Sequence, residues 1–491
     1  MVGTKITMNK DVTSLLEILS YEQCIGKKEA IVDAVSLDSR KVTDTTIFIA
    51  QKGETADGHD FIDAAIEKGC RVVVCESLPF EMNDAVTYIQ VKDSHAATGI
   101  IASWFYDFPT HDLTVIGVTG TNGKTTVATL LWQAFRLLGQ KTGLVSTVSY
   151  WIDDKEIPST HTTPDAITLQ KLLRNMVDNG CSHVVMEVSS HAIAQKRIAG
   201  ITFKVGIFTN LTQDHLDFHK TMENYRDTKK KFFTFLPTDA IAITNSDDEN
   251  GLLMIEGSVA KKITYSLTHE AEYAAKEISL STHSTTFVIE DSTVTSLLIG
   301  SFNLSNSLAV YATLRELGYE KNSVISLFAK LVPPPGRFEV IKGPEEKVAI
   351  VDYAHTPDGL EKLLTTIQEM KKEGTSVIVV FGCGGDRDRT KRPLMGAIAG
   401  AHADNAIITS DNPRSEVPEA ICAEVATGIT DPAIKYEIIV DRKDAIVRAV
   451  QISNPGDTIV VAGKGHEDYQ IIGDQKNHFS DQEILLESFG L

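Results

Sequence analysis

Basic residues are the scarce charged class in this chain: 47 Lys and Arg stand against 66 Asp and Glu, a formal net charge of −19. So acidic a body repels phosphate backbones and anionic headgroups, which argues against nucleic acid or a membrane surface as main partner. Cysteine is scarce as well. The six (Cys24, Cys70, Cys75, Cys181, Cys383 and Cys422) are scattered without metal-ligand spacing. Reduced, mostly buried thiols in a cytoplasmic protein are therefore expected. No apolar run approaches the length of a membrane span, and the stretch Met1 to Thr7 lacks the apolar core of a signal peptide. Internal repeats, low-complexity tracts and coiled-coil heptads are missing too. What remains is an ordinary globular composition, 42% hydrophobic, in 491 residues. That is too long for one ordinary domain, and about two to four are expected.

The stretch Val115 to Thr126 organises the chain. Val115 to Val118 reads as a short buried strand, and Gly120 and Gly123 let the backbone turn tightly. A helix follows, with an apolar stripe at Val127, Leu130, Leu131, Ala134, Phe135 and Leu138, closed by Gly139. Strand, glycine loop and helix N-terminus make a phosphate cradle. Lys124 can reach the outer phosphates and the Thr125 hydroxyl can ligate Mg²⁺. The usual P-loop has a further glycine where Val118 stands. An ordinary strand-to-helix turn is the plain alternative, but packing alone does not explain Gly-Lys-Thr-Thr at the mouth of a helix.

Residues up to about 110 alternate apolar strands (Arg71 to Cys75, Val86 to Val91) with helix (Phe61 to Lys68). In the central region, Val184 to Val188 reads as a buried strand interrupted by Glu187. A carboxylate there is costly unless paired or metal-bound, so Glu187 is a Mg²⁺ candidate, a solvent-facing strand end being the alternative. His215, flanked by Asp214 and Asp217 just past the strand Val205 to Phe208, sits where a metal ligand would. On the helix from Met222 to Leu236, Lys229 falls in the middle of the face formed by Met222, Tyr225, Phe232, Phe233 and Leu236. Two outcomes stay open: a lysine that snorkels to water, or a buried amine with lowered pKa, able to take up CO₂ as a carbamate. Asn303 and Asn306 precede an alanine-rich helix and can bond a purine edge or cap that helix. After Pro333 to Pro335, strands and helices alternate as in a doubly wound parallel sheet, with polar loops at Asp352 to His355, Gly384 to Asp388, Asp411 to Arg414 and Gly463 to Glu467.

Eight motifs then fall in order: Thr119 to Thr126, Met186 to His191, Thr209 to Asp217, Asn303 to Asn306, Gly336 to Glu339, Asp352 to Pro357, Asp411 to Arg414 and Gly463 to Glu467. With them, nearly the whole chain resembles the Mur ligases of peptidoglycan synthesis. The resemblance implies an α/β fold of three domains. Residues 1–110 would be a small mixed α/β domain binding the UDP-muramoyl substrate, 111–334 a central P-loop ATPase-like parallel-sheet domain, and 335–491 a Rossmann-like domain binding the amino acid. It implies a cytoplasmic monomer that uses ATP and Mg²⁺ to join meso-diaminopimelate to UDP-N-acetylmuramoyl-L-alanyl-D-glutamate. The L-lysine-adding ligase of the same family and a catalytically silent UDP-muramoyl-binding paralogue are the alternatives.

Carried over by motif, Gly120, Thr121, Asn122, Gly123, Lys124, Thr125 and Thr126 would hold ATP, with Asn303, Asn306, Arg337 and Asp352. Thr125, Glu187, His215 and Lys229 would serve magnesium, Lys229 as N6-carboxylysine. Lys124, Glu187, His215 and Lys229 would be the catalytic set. Leu37, Ser39, Glu54, Thr55 and Ala56 would contact the uridine nucleotide, and Thr162, Thr163, Ser189, Gln195 and Arg197 the rest of that substrate. Glu54 is awkward beside a diphosphate, so its contact would run through its backbone or to the base. Arg387, Asp411, Asn412, Pro413, Arg414, Gly463 and Glu467 would bind the amino acid. Arg414 would recognise the second carboxylate of diaminopimelate and Glu467 the adjacent ammonium.

Overall fold

The computed structural model describes residues 10–53, 56–281, 284–431 and 434–491. The architecture is α/β, and three larger sheets follow one another along the described residues. The first runs in the order Gln23–Ile25, Thr87–Gln90, Val72–Cys75, Thr46–Ile49, Ala34–Ser36, parallel except at its first edge. Every residue of Val72–Cys75 is buried, because the sheet is covered on both faces; hence its unbroken apolar run.

The second sheet runs Lys155–Pro158, Ser149–Ile152, Thr142–Val145, His183–Glu187, Thr114–Thr119, Val205–Phe208, Ile241–Asn245, Lys261–Ser266, Tyr273–Ala274. From Thr142–Val145 onward it is parallel. The expected parallel sheet is extended at one edge by an antiparallel hairpin, since the two residues Asp153 and Asp154 are too short a link for any crossover. A separate three-stranded antiparallel sheet covers Lys276–Leu280, Thr285–Ile289 and Ser292–Ser296.

The third sheet runs Glu339–Lys342, Val348–Asp352, Thr458–Ala462, Val377–Phe381, Asn405–Ile408, Lys435–Ile438. Its first strand is antiparallel, tied to the second by a short hairpin. The remaining strands are parallel. No helix among the described residues is long and apolar enough to cross a membrane.

Two seams fix the sheets to one another. Lys196 of the second unit pairs with Asp93, the N-cap of the helix Ser94–Phe105. Between the second and third units one part of the seam is apolar: Ile299 packs in the same cluster as Phe338, Leu360 and Leu363, and the Phe302 and Phe338 rings meet edge to face at 5.6 Å. The other part is polar. Asp358 accepts from Asn122 (2.9 Å) and Thr212 (3.2 Å).

Beneath the third sheet's rim lies a fully buried ion pair. Arg442 donates through Nε and Nη2 to Asp481, both at 2.8 Å, and through Nη2 to the carbonyl of Ala462 at 3.0 Å. It binds the first turns of two helices to the end of a strand. Removing one partner leaves a buried charge unanswered. Arg442→Met should therefore cost about 3–5 kcal/mol, read as a lower urea midpoint for the C-terminal unit. Arg442→Met combined with Asp481→Leu should regain most of it; equal losses in both would refute this account of the pair.

Candidate active site

The strand Thr114–Thr119 ends in mid-sheet. Register sets Glu187 level with Val118, and Phe208 level with Thr119. The glycine loop, Glu187 and the Thr209–Asn210 turn therefore share one rim, where open α/β sheets gather ligands. Gly123 has φ +84°, and a Cβ there would lie 2.5 Å from Asn306 Oδ1, so only glycine fits. Thr121 and Asn122 are held by backbone bonds to Asn210, Asn122 through the Asn210 Oδ1 at 3.0 Å. The helix Lys124–Leu137 begins at the loop with Thr125 and Thr126 buried in its first turn.

Two amines converge on one atom. Lys124 Nζ donates to the Gly120 carbonyl at 3.0 Å and to that of Thr121 at 2.8 Å. Lys229 Nζ donates to the same Gly120 carbonyl at 2.7 Å. Lys229 is 1% exposed, its amine 4.7 Å from the Tyr225 ring centre. It does not snorkel. Burial, then the like charge of Lys124, push its amine well below the ordinary lysine value, with Asp214 opposing. Burial lowers Lys124 too, while Glu187 and Asp214 pull it back.

Glu187 is fully buried, so the solvent-facing alternative is excluded. Its carboxylate accepts from Thr147 N (2.8 Å) and Thr147 Oγ1 (3.2 Å). His215 has φ +54° and stands 3.4 Å from Asp214, and burial takes its imidazole down to about 4. Among the described residues no three His, Cys, Asp or Glu are grouped to hold a metal alone. One carboxylate, one hydroxyl and room for phosphate is instead the donor set that suits Mg²⁺, which keeps waters and phosphates in its shell.

A cavity of about 340 Å³ opens between the second and third units, lined among others by Asn122, Gly123, Thr126, Asn303, Asn306, Arg337 and Asp352. Asn303 and Asn306 do not precede a helix: they lie in the opening turns of Ser301–Glu316, whose N-cap is Gly300. Asn303 Nδ2 bonds the Ile299 carbonyl at 2.9 Å. Arg337 stacks on the Tyr353 ring at 4.3 Å and donates to Thr125 Oγ1 at 3.3 Å, while its buried Nε has no hydrogen-bond partner. Asp352 accepts from Phe338 N and Ala354 N (2.7 and 2.8 Å), fixing the backbone of two site loops.

A second cavity, about 200 Å³, lies between the first and second units and brings together Leu37, Gln195 and Arg197 with Gln51, His95 and Thr98. Thr163 links it to the P-loop rim: its hydroxyl donates to the Glu187 carbonyl (2.8 Å) and its own carbonyl accepts from Arg197 (2.8 Å). Thr162 accepts from Thr147 at 3.0 Å, and Ser189 caps a short helix. Ser39 begins a 3-10 turn beside Leu37, and Ala56 is exposed. Glu54 and Thr55 lie outside the described residues.

At the third sheet's rim Asp411, Asn412, Pro413, Gly463 and Glu467 come together. Gly463 has φ +118°, and a Cβ there would lie 2.5 Å from Asp411 Oδ2. Asn412 Nδ2 donates to Glu467 Oε2 at 2.9 Å. Burial, then Asp411, raise the Glu467 carboxyl. Arg414, half-buried with φ +52°, donates through Nη1 to the carbonyls of Gly385 (2.8 Å) and Asn412 (3.4 Å). Arg387 is exposed, bonded to its neighbour's carbonyl. Buried Arg392 ties these loops: it pairs with Glu416 and Glu424, and Glu416 also accepts from Asp386 N at 2.7 Å. Tyr353 joins this rim to the nucleotide cavity, which it lines while its hydroxyl reaches Glu467 at 3.5 Å.

Thr147, Thr212, Asp358, Arg392 and Lys464 are site neighbours that the sequence reading did not single out. Lys464 sits in a quoted motif but gives no periodic signal. Asp358, just after Pro357 at a helix start, reads as an ordinary N-terminal acid.

Three family descriptions match successive parts of the chain: "Mur ligase family, catalytic domain" over residues 31–106, "Mur ligase middle domain" over 118–314 and "Mur ligase, glutamate ligase domain" over 336–465. A UDP-N-acetylmuramoyl-L-alanyl-D-glutamate–2,6-diaminopimelate ligase of Phocaeicola vulgatus is 48% identical over 476 residues, 97% of this chain and 98% of its own. A solved structure of a UDP-N-acetylmuramoyl-L-alanyl-D-glutamate–2,6-diaminopimelate ligase superposes with TM-score 0.71 at 31% identity, covering 98% and 99% of the two chains. The MurF ligase of Thermotoga maritima in complex with ADP has the same fold, at TM-score 0.59 and 20% identity over 93% and 96%. With nearly half of its residues shared along almost the entire length of such a relative, the chain belongs to the Mur ligase family.

Proposed function

We propose that the protein joins meso-diaminopimelate to UDP-N-acetylmuramoyl-L-alanyl-D-glutamate at the expense of ATP, forming an amide, ADP and phosphate. The observation that carries this is the placement of Tyr353, shared by the nucleotide cavity and the Asp411–Glu467 rim. Activation and attack can then occur in one enclosure. The γ-phosphoryl group passes to the free carboxylate of the dipeptide, giving an acyl phosphate. The amine of the incoming amino acid attacks it, a proton leaves the nitrogen and phosphate departs.

The residues supply what this chemistry needs. Two anions must approach, and Lys124 at the glycine loop answers the phosphate charge. Thr125, Glu187, His215 and Lys229 would hold Mg²⁺, which when bound neutralises phosphate charge. Lys229 serves as a carbamate: its ammonium gives up one proton, the free amine adds CO₂ and a second proton leaves the nitrogen, exchanging a cation for an anion beside Lys124. Thr162, Thr163, Ser189, Gln195 and Arg197 orient the muramoyl substrate, with Leu37, Ser39 and Ala56 toward the uridine end. Three adjacent units, 1–110, 111–334 and 335–491, divide the three substrates among them. One chain completes the site, so a monomer suffices. Six free thiols fit the cytoplasm.

Arg414 is half-buried and already donates to two carbonyls. Lysine in place of diaminopimelate leaves it only partly unpaired. The preference therefore falls at the lower end of the penalty for breaking a charged pair, about 2 kcal/mol, or roughly 30-fold. Arg414→Ala should abolish most of that preference in kcat/KM; equal kcat/KM for the two amino acids in the unmodified protein would contradict this part alone. Lys124→Ala should fold normally by circular dichroism and lose at least about 100-fold in kcat/KM, the scale of a lost charge-stabilising donor. ADP release assayed with both other substrates checks it, and substantial ligation by the folded variant would sink the assignment. Lys229→Ala should be nearly inactive and partly restored by small carboxylates such as acetate. A plain ammonium at Lys229 in a well-resolved crystal grown with bicarbonate would count against the carbamate.

A further inference from the structure

Lys464 is fully buried, an unusual place for a lysine. Its amine donates to Asn412 Oδ1 at 3.0 Å and to the Tyr469 carbonyl at 2.8 Å. Two carboxylates flank it, Glu467 at 3.6 Å and Asp411 at 3.8 Å. Asn412 is thereby oriented: its oxygen takes Lys464 and Ile471 N (2.9 Å), which turns its NH₂ to Glu467. The other charged groups nearby are spoken for. Arg442 lies within electrostatic reach of Asp411 and Glu467 but is paired with Asp481. Tyr353 and Tyr469 present hydroxyl-bearing rings, and Arg414 is turned to the Gly385 carbonyl. Two carboxylates thus face one ammonium, and the cluster is short of one positive charge.

Resting on the amino-acid-binding reading of this rim, we propose that Lys464 is a positioning residue for the incoming amino acid. It locks Asp411, Asn412 and Glu467 into one socket with a single unanswered negative charge, which the substrate's ammonium group fills. The lysine does not touch substrate. Its charge favours the carboxylate form of Glu467, which burial and the neighbouring Asp411 oppose.

The test is the pH profile of kcat/KM for meso-diaminopimelate, with ATP and the UDP-linked dipeptide saturating. In Lys464→Met, Glu467 loses its nearest cation, so its proton is held to higher pH. The acid limb should move up by about 1–3 pH units, and KM for the amino acid at a pH on that limb should rise roughly 10-fold per unit. KM for ATP should stay put. Adding Asp411→Asn to Lys464→Met removes the charge that opposes Glu467, and the limb should move back down. A uniform rise in KM at every pH with an unmoved limb would mean that Lys464 merely fills space, and would overturn the proposal. So would failure of both variants to fold, which would make the lysine a fold-holding group. The unmodified protein is the control: ADP release that no amino acid stimulates defeats the functional reading itself, whereas stimulated release with an unmoved limb in the variant defeats only the role of Lys464.

Discussion

The Gly120 carbonyl receives two lysine amines, and much of the central unit answers that fact. Like charges so close, one of them buried, repel strongly unless anions are supplied or one amine is neutral. The rim provides Glu187 and Asp214, and the open cleft leaves room for phosphates. The helix bearing Lys229 buries it with Tyr225, Phe232 and Phe233, and the Tyr225 ring and the Gly120 carbonyl hold the amine inside. The site thus sets Lys124 and Lys229 against Glu187 and Asp214, while the third sheet's rim sets two carboxylates against one ammonium.

How much of this is legible in the sequence depends on whether a residue's role is local. The glycine loop is read from spacing, because strand, turn and helix are contiguous. Glu187 is legible as an acid in an apolar run, and it is buried there, accepting from Thr147. Lys229 is half legible: helical periodicity places it on the apolar face, but whether a lysine snorkels depends on what covers that face. Here Gly120, over a hundred positions earlier in the chain, offers its carbonyl and holds the amine inside. Thr147 and Asp358 escape notice because their partners, Glu187 and Asn122, come from other elements. The parallel character of the second and third sheets is legible; their antiparallel edge strands are not, because hairpin strands share the apolar composition of their neighbours and only connection length tells them apart.

Backbone strain marks the same places. His215, Phe338, Asp386 and Arg414 all take left-handed φ between +48° and +55° without being glycine. Each is held by neighbours: Phe338 N by Asp352, Asp386 N by Glu416, Arg414 N by the Ile471 carbonyl, and His215 N by the Asp214 side chain. Such conformations cost of order 1–3 kcal/mol and persist where surroundings over-determine them. The buried Arg392 and its two glutamates are that surrounding for the loops bearing Arg387 and Arg414.

The seam between the second and third units is asymmetric. The contact of Ile299 and Phe302 with Phe338 is non-directional, and apolar faces keep most of their free energy when they slide or rotate on one another. The bonds from Asn122 and Thr212 to Asp358 tolerate no such movement, yet water can replace them at small cost. The joint is thus oily on one side and exchangeable with water on the other, and the exchangeable side is set against the glycine loop. The seam is therefore most easily wetted where Asn122 and the cavity meet, at the glycine loop itself.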